Sequence, residues 1–146
     1  MATLTQTGAG TGQGHVSSNT VPKVYVQSTV IDGTSTALTS GDVYQAINVP
    51  ANSIVMSAGI DVITAGTGTG TLALGDGTVT YVAAATQSAG QMTSGDALAE
   101  LAVTYEAADT LDVTVATANV NSKVRVWALI ADIDGLGDTE SGDTYA

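Results

Sequence analysis

The sequence contains no cysteine and no phenylalanine, and it has only two prolines, one histidine, one tryptophan and three basic residues in 146 positions. Without cysteine there is no disulfide, no zinc-thiolate centre and no thiol nucleophile, so stability has to come from packing, and the redox compartment is left open. The lone histidine, His15, sits in a polar stretch, so a Ser-His nucleophile system has no base inside the folded body. Three cations against fourteen acids give a formal charge of −11. A chain of that charge repels a phosphate backbone, which argues against nucleic acid as a direct partner. No run of about eighteen apolar residues is present to cross a membrane as a helix, and the first residues carry neither the basic nor the apolar region of a secretion signal.

What the chain does have is Val, Ile, Leu, Ala and Thr in quantity, a β-branched and aliphatic mix that suits pleated sheets. Its length fits one domain, able to bury roughly two-thirds of its unfolded surface. Residues 1–20 are mostly Thr, Gly, Gln, Ser and Asn, with Leu4 and Val16 as the large apolar side chains. That is too little burial to offset the entropy of ordering, so the segment reads as a flexible N-terminal arm. Residues 135–146 are small and acidic and read as a C-terminal tail, which leaves a folded body over 21–134.

Within the body, alternating apolar residues mark strands at Lys23 to Ile31, Val43 to Val49 and Ile54 to Ala65, the last with Gly59 as a candidate bulge. Asp32-Gly33 is a turn signal, and Pro50 lacks the donor to continue a ladder. Leu72 to Leu74 and Thr78 to Ala83 flank Gly75-Asp76-Gly77 as a tight hairpin. Thr86 to Asp96 reads as a polar loop. Leu98 to Val103 reads either as a strand or, through Ala-Leu-Ala-Glu-Leu-Ala, as a helical turn. A repeated Thr-Ser-Gly-Asp, at 39–42 and 93–96, reflects turn chemistry rather than a duplicated half.

The strongest pattern lies at Thr110 to Ala118 and Lys123 to Asp132. Leu111, Val113 and Val115 alternate with polar residues, then Val124, Val126, Ala128 and Ile130 continue the apolar row. The pair reads as a β-hairpin with Val115 opposite Val124, Val113 opposite Val126, and Asp112 diagonal to Arg125. From Val126 to Ala131 the alternation becomes an unbroken apolar run, so both faces of that half-strand should be covered, by the same chain or by a neighbouring subunit. Val126 and Ile130 fall on one face, Trp127 and Leu129 on the other. Eight or so short strands with polar turns predict an all-β chain, a single antiparallel β-sandwich of the jelly-roll kind.

Candidate chemistry is sparse. Asp61, Glu100, Glu106, Asp109 and Asp112 supply carboxylates that would need about 5 to 10 Å separation to act as a glycosidase pair; solvated faces and turns are their ordinary role. Asp132-Ile133-Asp134-Gly135 with Asp138 places oxygen ligands at short spacing, without the later ligands and terminal Glu of a calcium loop. The glycines at 8, 10, 12 and 14 and at 66, 68 and 70 lack the spacing of a phosphate cradle and read as linker and loop. Tyr25, Tyr44, Tyr81, Tyr105 and Tyr145 are too scattered for a stacking platform. No cofactor and no catalytic residue is expected, and Trp127 is expected in a core or an interface.

Val49-Pro-Ala-Asn-Ser-Ile-Val-Met-Ser-Ala-Gly-Ile-Asp-Val, together with Asp109-Thr-Leu-Asp-Val-Thr-Val and Trp127-Ala-Leu-Ile-Ala-Asp, resembles small accessory capsid proteins of tailed bacteriophages. The likeness is one of texture: short, cysteine-free Gly/Thr/Ala/Val-rich β domains with polar arms. It implies a non-enzymatic decoration or cement protein, made in the host cytoplasm and bound to the outer capsid surface, which clamps neighbouring major capsid protein subunits as a homo-oligomer, with a trimer preferred. On that reading Trp127 and Leu129, with Leu4 and Val16 of the arm, are the interface residues. The alternative is a receptor- or glycan-binding β-sandwich module of a tail fibre or bacterial surface protein.

Overall fold

A computed structural model describes residues 23–88, 92–94 and 102–133. Nine strands occur among them, with no helix: β1 (Lys23–Asp32), β2 (Val43–Val49), β3 (Ser53–Thr64), β4 (Thr71–Gly75), β5 (Thr80–Ala85), β6 (Met92–Ser94), β7 (Val103–Tyr105), β8 (Asp109–Ala116) and β9 (Lys123–Asp132). They form two antiparallel sheets. One runs β1-β9-β3-β6, with β7 also on β3, and the other runs β2-β8-β4-β5.

The pairing is nested: β1 with β9, β2 with β8, β3 with β6 and β7, β4 with β5. A long hairpin folded at the β4–β5 turn and then rolled, so that successive pairs alternate between sheets, gives this order; it is a jelly roll. Inward side chains from both sheets make one core, including Ile47, Val55, Ile60, Leu72, Leu74, Leu111, Val113, Val126 and Ile130.

This arrangement corrects the predicted hairpin. β8 pairs with β2 and β4, whereas β9 pairs with β1 and β3, so Val113 and Val115 enter the core from the sheet opposite Val124 and Val126 and are not their ladder partners. The connection at 117–122 explains the switch of sheet. Thr117 turns with φ +71, and Val120 is fully buried and exchanges backbone bonds with Leu38 (2.8 and 2.9 Å). A period of two assigns a residue to a face; it carries no information about which strand lies beside it. Arg125 consequently faces Asp61 (3.6 Å), not Asp112.

Three further readings change. The β3 bulges fall at Met56, between Val55 and Ser57, and near Ile63, leaving Gly59 in regular pairing with Trp127. Met92–Ser94, expected within a polar loop, forms β6 by pairing with Gly59–Asp61, while 98–101 lie outside the described residues. The second Thr-Ser-Gly-Asp thus begins inside a strand, whereas the first is a turn in which Gly41 takes φ +97. The 66–70 glycine segment is tied down. Asn121 accepts from the Thr67 N–H (2.9 Å) and donates to its hydroxyl (3.1 Å), and the buried Gln87 amide donates to the Gly70 carbonyl (3.1 Å). The Ala118 and Asn119 carbonyls approach Gly70 too closely to admit a Cβ.

Candidate functional site

The outer face of the β1-β9-β3 sheet is built from rows set by the pairing register. Val24, Ala131 and Ile54 make one row; Val26, Leu129 and Ser57 the next; Ser28, Trp127 and Gly59 a third. Beyond them come Val30, Arg125 and Asp61, then Asp32, Lys123 and Thr64. The face therefore grades from apolar at one end to ion-paired at the other, where Lys123 reaches Asp32 (3.0 Å) and Arg125 reaches Asp61 (3.6 Å). Val24 and Val26 on β1 are 59% and 64% exposed, and Met56, across β9 on β3, is 42% exposed. Isolated exposed valines are ordinary; contiguous apolar rows on one face mark an interaction surface.

Trp127 anchors the middle row. Its register partners on either side, Ser28 and Gly59, are small. It is half-buried, and its N–H is shielded from solvent with no acceptor among the described residues. An unmet buried donor costs about 1–3 kcal/mol, an expense for the isolated domain that an acceptor on a partner would remove. Leu129 is also half-buried, while Val126, Ala128 and Ile130 on the opposite side of β9 are fully buried in the core. Trp127 and Leu129 thus share the outward face, as the sequence pattern predicts; Leu4 and Val16 lie outside the described residues.

The other sheet presents a different outer face. Gln45, Asp112 and Gly75 form one row, Asn48 and Thr110 another, and Val43, Thr114 and Ala73 a third. All three cations of the chain, Lys23, Lys123 and Arg125, belong to β1 and β9, so this second face, on which Val43 is the exposed large apolar residue, has threonines, amides and carboxylates with no positive charge. An acidic hydrated surface of this kind favours solubility over contact.

Asp61 and Asp112 do not converge. Asp61 sits on the outer face of one sheet and Asp112 on that of the other, where it accepts from the Thr110 hydroxyl (2.8 Å); Glu100 lies outside the described residues. Thr34 and Lys123 hold the Asp32 carboxyl down at about 2. Among the described residues no three His, Cys, Asp or Glu side chains gather as a metal site. Asp132 ends β9, while Asp134, Asp138 and His15 lie beyond the described residues.

One buried polar chain was missed by sequence reasoning. Tyr81, Tyr105 and Asp76 are joined by a 2.9 Å contact between the two phenols and a 2.6 Å hydrogen bond from the Tyr105 hydroxyl to Asp76 Oδ2. Asp76 Oδ1 accepts from the Thr78 and Val79 N–H groups (2.7 and 2.6 Å). Burial acts to raise the Asp76 carboxyl, but the bonds from Tyr105, Val79 and Thr78 outweigh it, and the carboxyl is held below its usual range. Burial pushes the Tyr81 phenol up to about 12 and the Tyr105 phenol well above its usual value. A neutral phenol donating to a fixed carboxylate that also holds its own turn is a brace between β4, β5 and β7.

An open cleft of about 650 Å³ lies along the β1/β2 edge of the sandwich, lined by Tyr25, Gln27, Gln45, Asn48 and Asp109 among others. Above it the Thr29 hydroxyl donates to the Ala46 carbonyl (2.7 Å), which stitches the two sheets together at that edge.

No protein-family model matches the chain, and no curated protein matches it in sequence. Solved structures do. The fold is similar to a chain in the capsid of Ralstonia phage GP4, with a TM-score of 0.57 and 18% identity over 75% of this chain and 84% of that one. It is similar to a chain in the acidic stable capsid structure of Helicobacter pylori bacteriophage KHP30, with a TM-score of 0.53 and 14% identity over 77% and 94%. A chain of the cyanophage Pam1 capsid asymmetric unit matches with a TM-score of 0.50 and 25% identity over 75% and 84%. The jelly roll of this chain is therefore similar to folds found in bacteriophage capsids.

Proposed function

We propose that the protein is a non-enzymatic structural component of a tailed-bacteriophage virion, a decoration or cement protein on the outer capsid surface that stabilises contacts between major capsid subunits. The observation that carries the reading is the apolar outer face of the β1-β9-β3 sheet, centred on Trp127 and Leu129. The likeness to chains of three phage capsids supports the setting. In this role the Val24, Val26, Trp127, Leu129 and Ile54 rows seat on the capsid shell, and the Thr/Asp face of the β2-β8-β4-β5 sheet points to solvent. Aromatic anchors surrounded by aliphatic contacts are the usual centre of such interfaces. Self-association goes with this reading. Three copies is the count implied by the family resemblance, and two is the count favoured by the β1 edge.

The test is co-sedimentation of purified protein with undecorated particles of its source phage. Wild type should pellet with the particles, and Trp127→Ala should pellet far less while keeping its β-sheet circular dichroism. Equal pelleting by a folded Trp127→Ala would remove this face from the proposal.

A second reading, a glycan-binding module, is favoured by the cleft, because Gln27, Gln45, Asn48 and Asp109 offer the amide and carboxylate groups that bond sugar hydroxyls, with Tyr25 beside them. Calorimetric titration with the surface glycans of the host would show saturable heat on that reading and none on the first.

A further inference from the structure

Proteins protect the edges of their sheets, because an exposed strand edge presents unpaired N–H and C=O groups to any other chain. This domain protects three of its four edges. β2 carries a register shift between Gln45 and Ile47, and β5 pairs with β4 through two more. On the far side of β3, β6 and β7 are each three residues long. β1 is the exception. It has ten residues, pairs with β9 through ten consecutive partners without a shift, and has no other ladder neighbour among the described residues. Its interior, Val24 to Ile31, carries no charge and no proline. Val24, Val26 and Val30 on its outer face are all exposed.

We infer that β1 is a homotypic docking edge, pairing antiparallel with β1 of a second copy across a two-fold axis at Ser28 and so joining the two outer sheets into one. This goes beyond the capsid-docking face and does not depend on it. Directly opposed residues in an antiparallel ladder share a face, so the outer valines of one copy must oppose outer residues of the other. With the axis at Ser28, Val26 meets the second copy's Val30 and Val30 meets its Val26. On the inner side Gln27 faces Thr29, and Tyr25 faces Ile31. Ser28 opposes itself.

The Ser28 row singles out this register. On β9 the register partner of Ser28 is the bulky Trp127, which pairs on its other side with the equally small Gly59. A Ser28–Ser28 pair sets two small residues side by side between the Trp127 positions of the two copies. An axis at Gln27 instead places Val26 against Ser28 in that row, and brings Lys23 opposite Ile31. A strand that offers the same surface to itself closes as a pair, an isologous contact, whereas three copies would need a second, different edge. The charge of −11 per chain does not prevent contact at this edge, because β1 carries a single cation, Lys23, and a single acid, Asp32, at its two ends.

The absence of cysteine from the chain makes the test direct. Residues directly opposed in an antiparallel pair have Cα atoms about 4.5 or 5.5 Å apart, within the span a disulfide bridges. Ser28→Cys in the full chain should therefore give a disulfide-linked dimer on mild oxidation. Gln27→Cys should give several-fold less, and Thr114→Cys, on the outer face of the other sheet, only the background of random collision. Wild type in light scattering should show twice the 14.5 kDa chain mass. Val26→Lys, a charge on an exposed edge residue, should return it to the single-chain mass with unchanged circular dichroism and melting temperature. Stronger crosslinking through Gln27→Cys would overturn the register. Ser28→Cys no more crosslinked than Thr114→Cys, or a wild type of single-chain mass at several hundred micromolar, would overturn the pairing.

Discussion

Replacing Tyr105 with Phe removes one oxygen from the buried chain that joins Tyr81 to Asp76, and the geometry sets how the loss is shared. Tyr105 donates its proton to Asp76 Oδ2 at 2.6 Å, so the 2.9 Å contact between the phenols has Tyr81 as donor and Tyr105 as acceptor. Tyr105→Phe therefore breaks both links. It takes a charge-assisted bond from Asp76 and strands the Tyr81 hydroxyl, on a residue only 2% exposed, without an acceptor. A bond to a charged group contributes about 1.5–3 kcal/mol, and an unmet buried hydroxyl costs about 1–3. Asp76, half-buried, recovers part of its loss through water, so the expected net destabilisation is about 2–4 kcal/mol. Tyr81→Phe removes only the terminal donor and leaves Tyr105 bonded to Asp76; its expected cost is about 1 kcal/mol. Urea unfolding followed by tryptophan fluorescence gives both numbers, with an unchanged slope as the check that the transition stays two-state. A Tyr81→Phe cost equal to or above that of Tyr105→Phe would refute the direction of the proton chain, and two neutral substitutions would refute its role as a brace.

Other expectations concern the faces of β9 and the response to pH. Val126 is fully buried, so Val126→Asp places an unpaired carboxylate in the core at a cost of several kcal/mol, comparable with the whole stability of a domain; circular dichroism should show an unfolded chain. Trp127→Phe deletes a buried N–H that has no acceptor among the described residues and keeps an aromatic ring at the position, so the isolated domain should lose no more than about 1 kcal/mol by urea unfolding. At high pH the raised Tyr105 and Tyr81 phenols matter: their contribution is complete below the unfolded value near 10 and is lost as pH rises from there through their folded values. The melting temperature should accordingly fall above about pH 10, and fall less in a Tyr81→Phe/Tyr105→Phe double variant. Asp76 and Asp32 act in the opposite sense. Their carboxyls are lowered in the folded state, so their contributions are present above about pH 4 and are lost as the pH falls below it.

Strands with a clean period of two were legible in the sequence, because one buried face imposes alternation: β1, β2, β3, β8 and β9 fall close to where the apolar residues alternate, and Gly75-Asp76-Gly77 marks the β4–β5 turn. Which strand lies beside which was not legible. Val113 and Val126 satisfy the same pattern whether they are ladder partners or face each other across a core, and the deciding feature is the 117–122 connection, whose Val120 is drawn inward by Leu38. β6 has no pattern of its own; Thr93 and its neighbours become a strand only because β3 offers a free edge. Gly59 was legible as a special position but not in its place, which is a regular pair with Trp127 and not a bulge. The outward placement of Trp127 and Leu129 followed from the unbroken run Val126 to Ala131. The larger apolar face did not, since Val24 and Val26 join it from a strand about a hundred residues earlier in the chain.

Electron cryomicroscopy of source-phage particles saturated with the purified protein shows directly whether the outer face of the β1-β9-β3 sheet is a contact surface. Additional density is expected on the capsid exterior, absent from undecorated particles. Into it the jelly roll should fit with Trp127, Leu129 and Val26 against major capsid subunits and Asp112 and Thr114 toward solvent. Bare particles at saturating protein, or density that seats the β2-β8-β4-β5 face on the shell and leaves Trp127 in solvent, would contradict it.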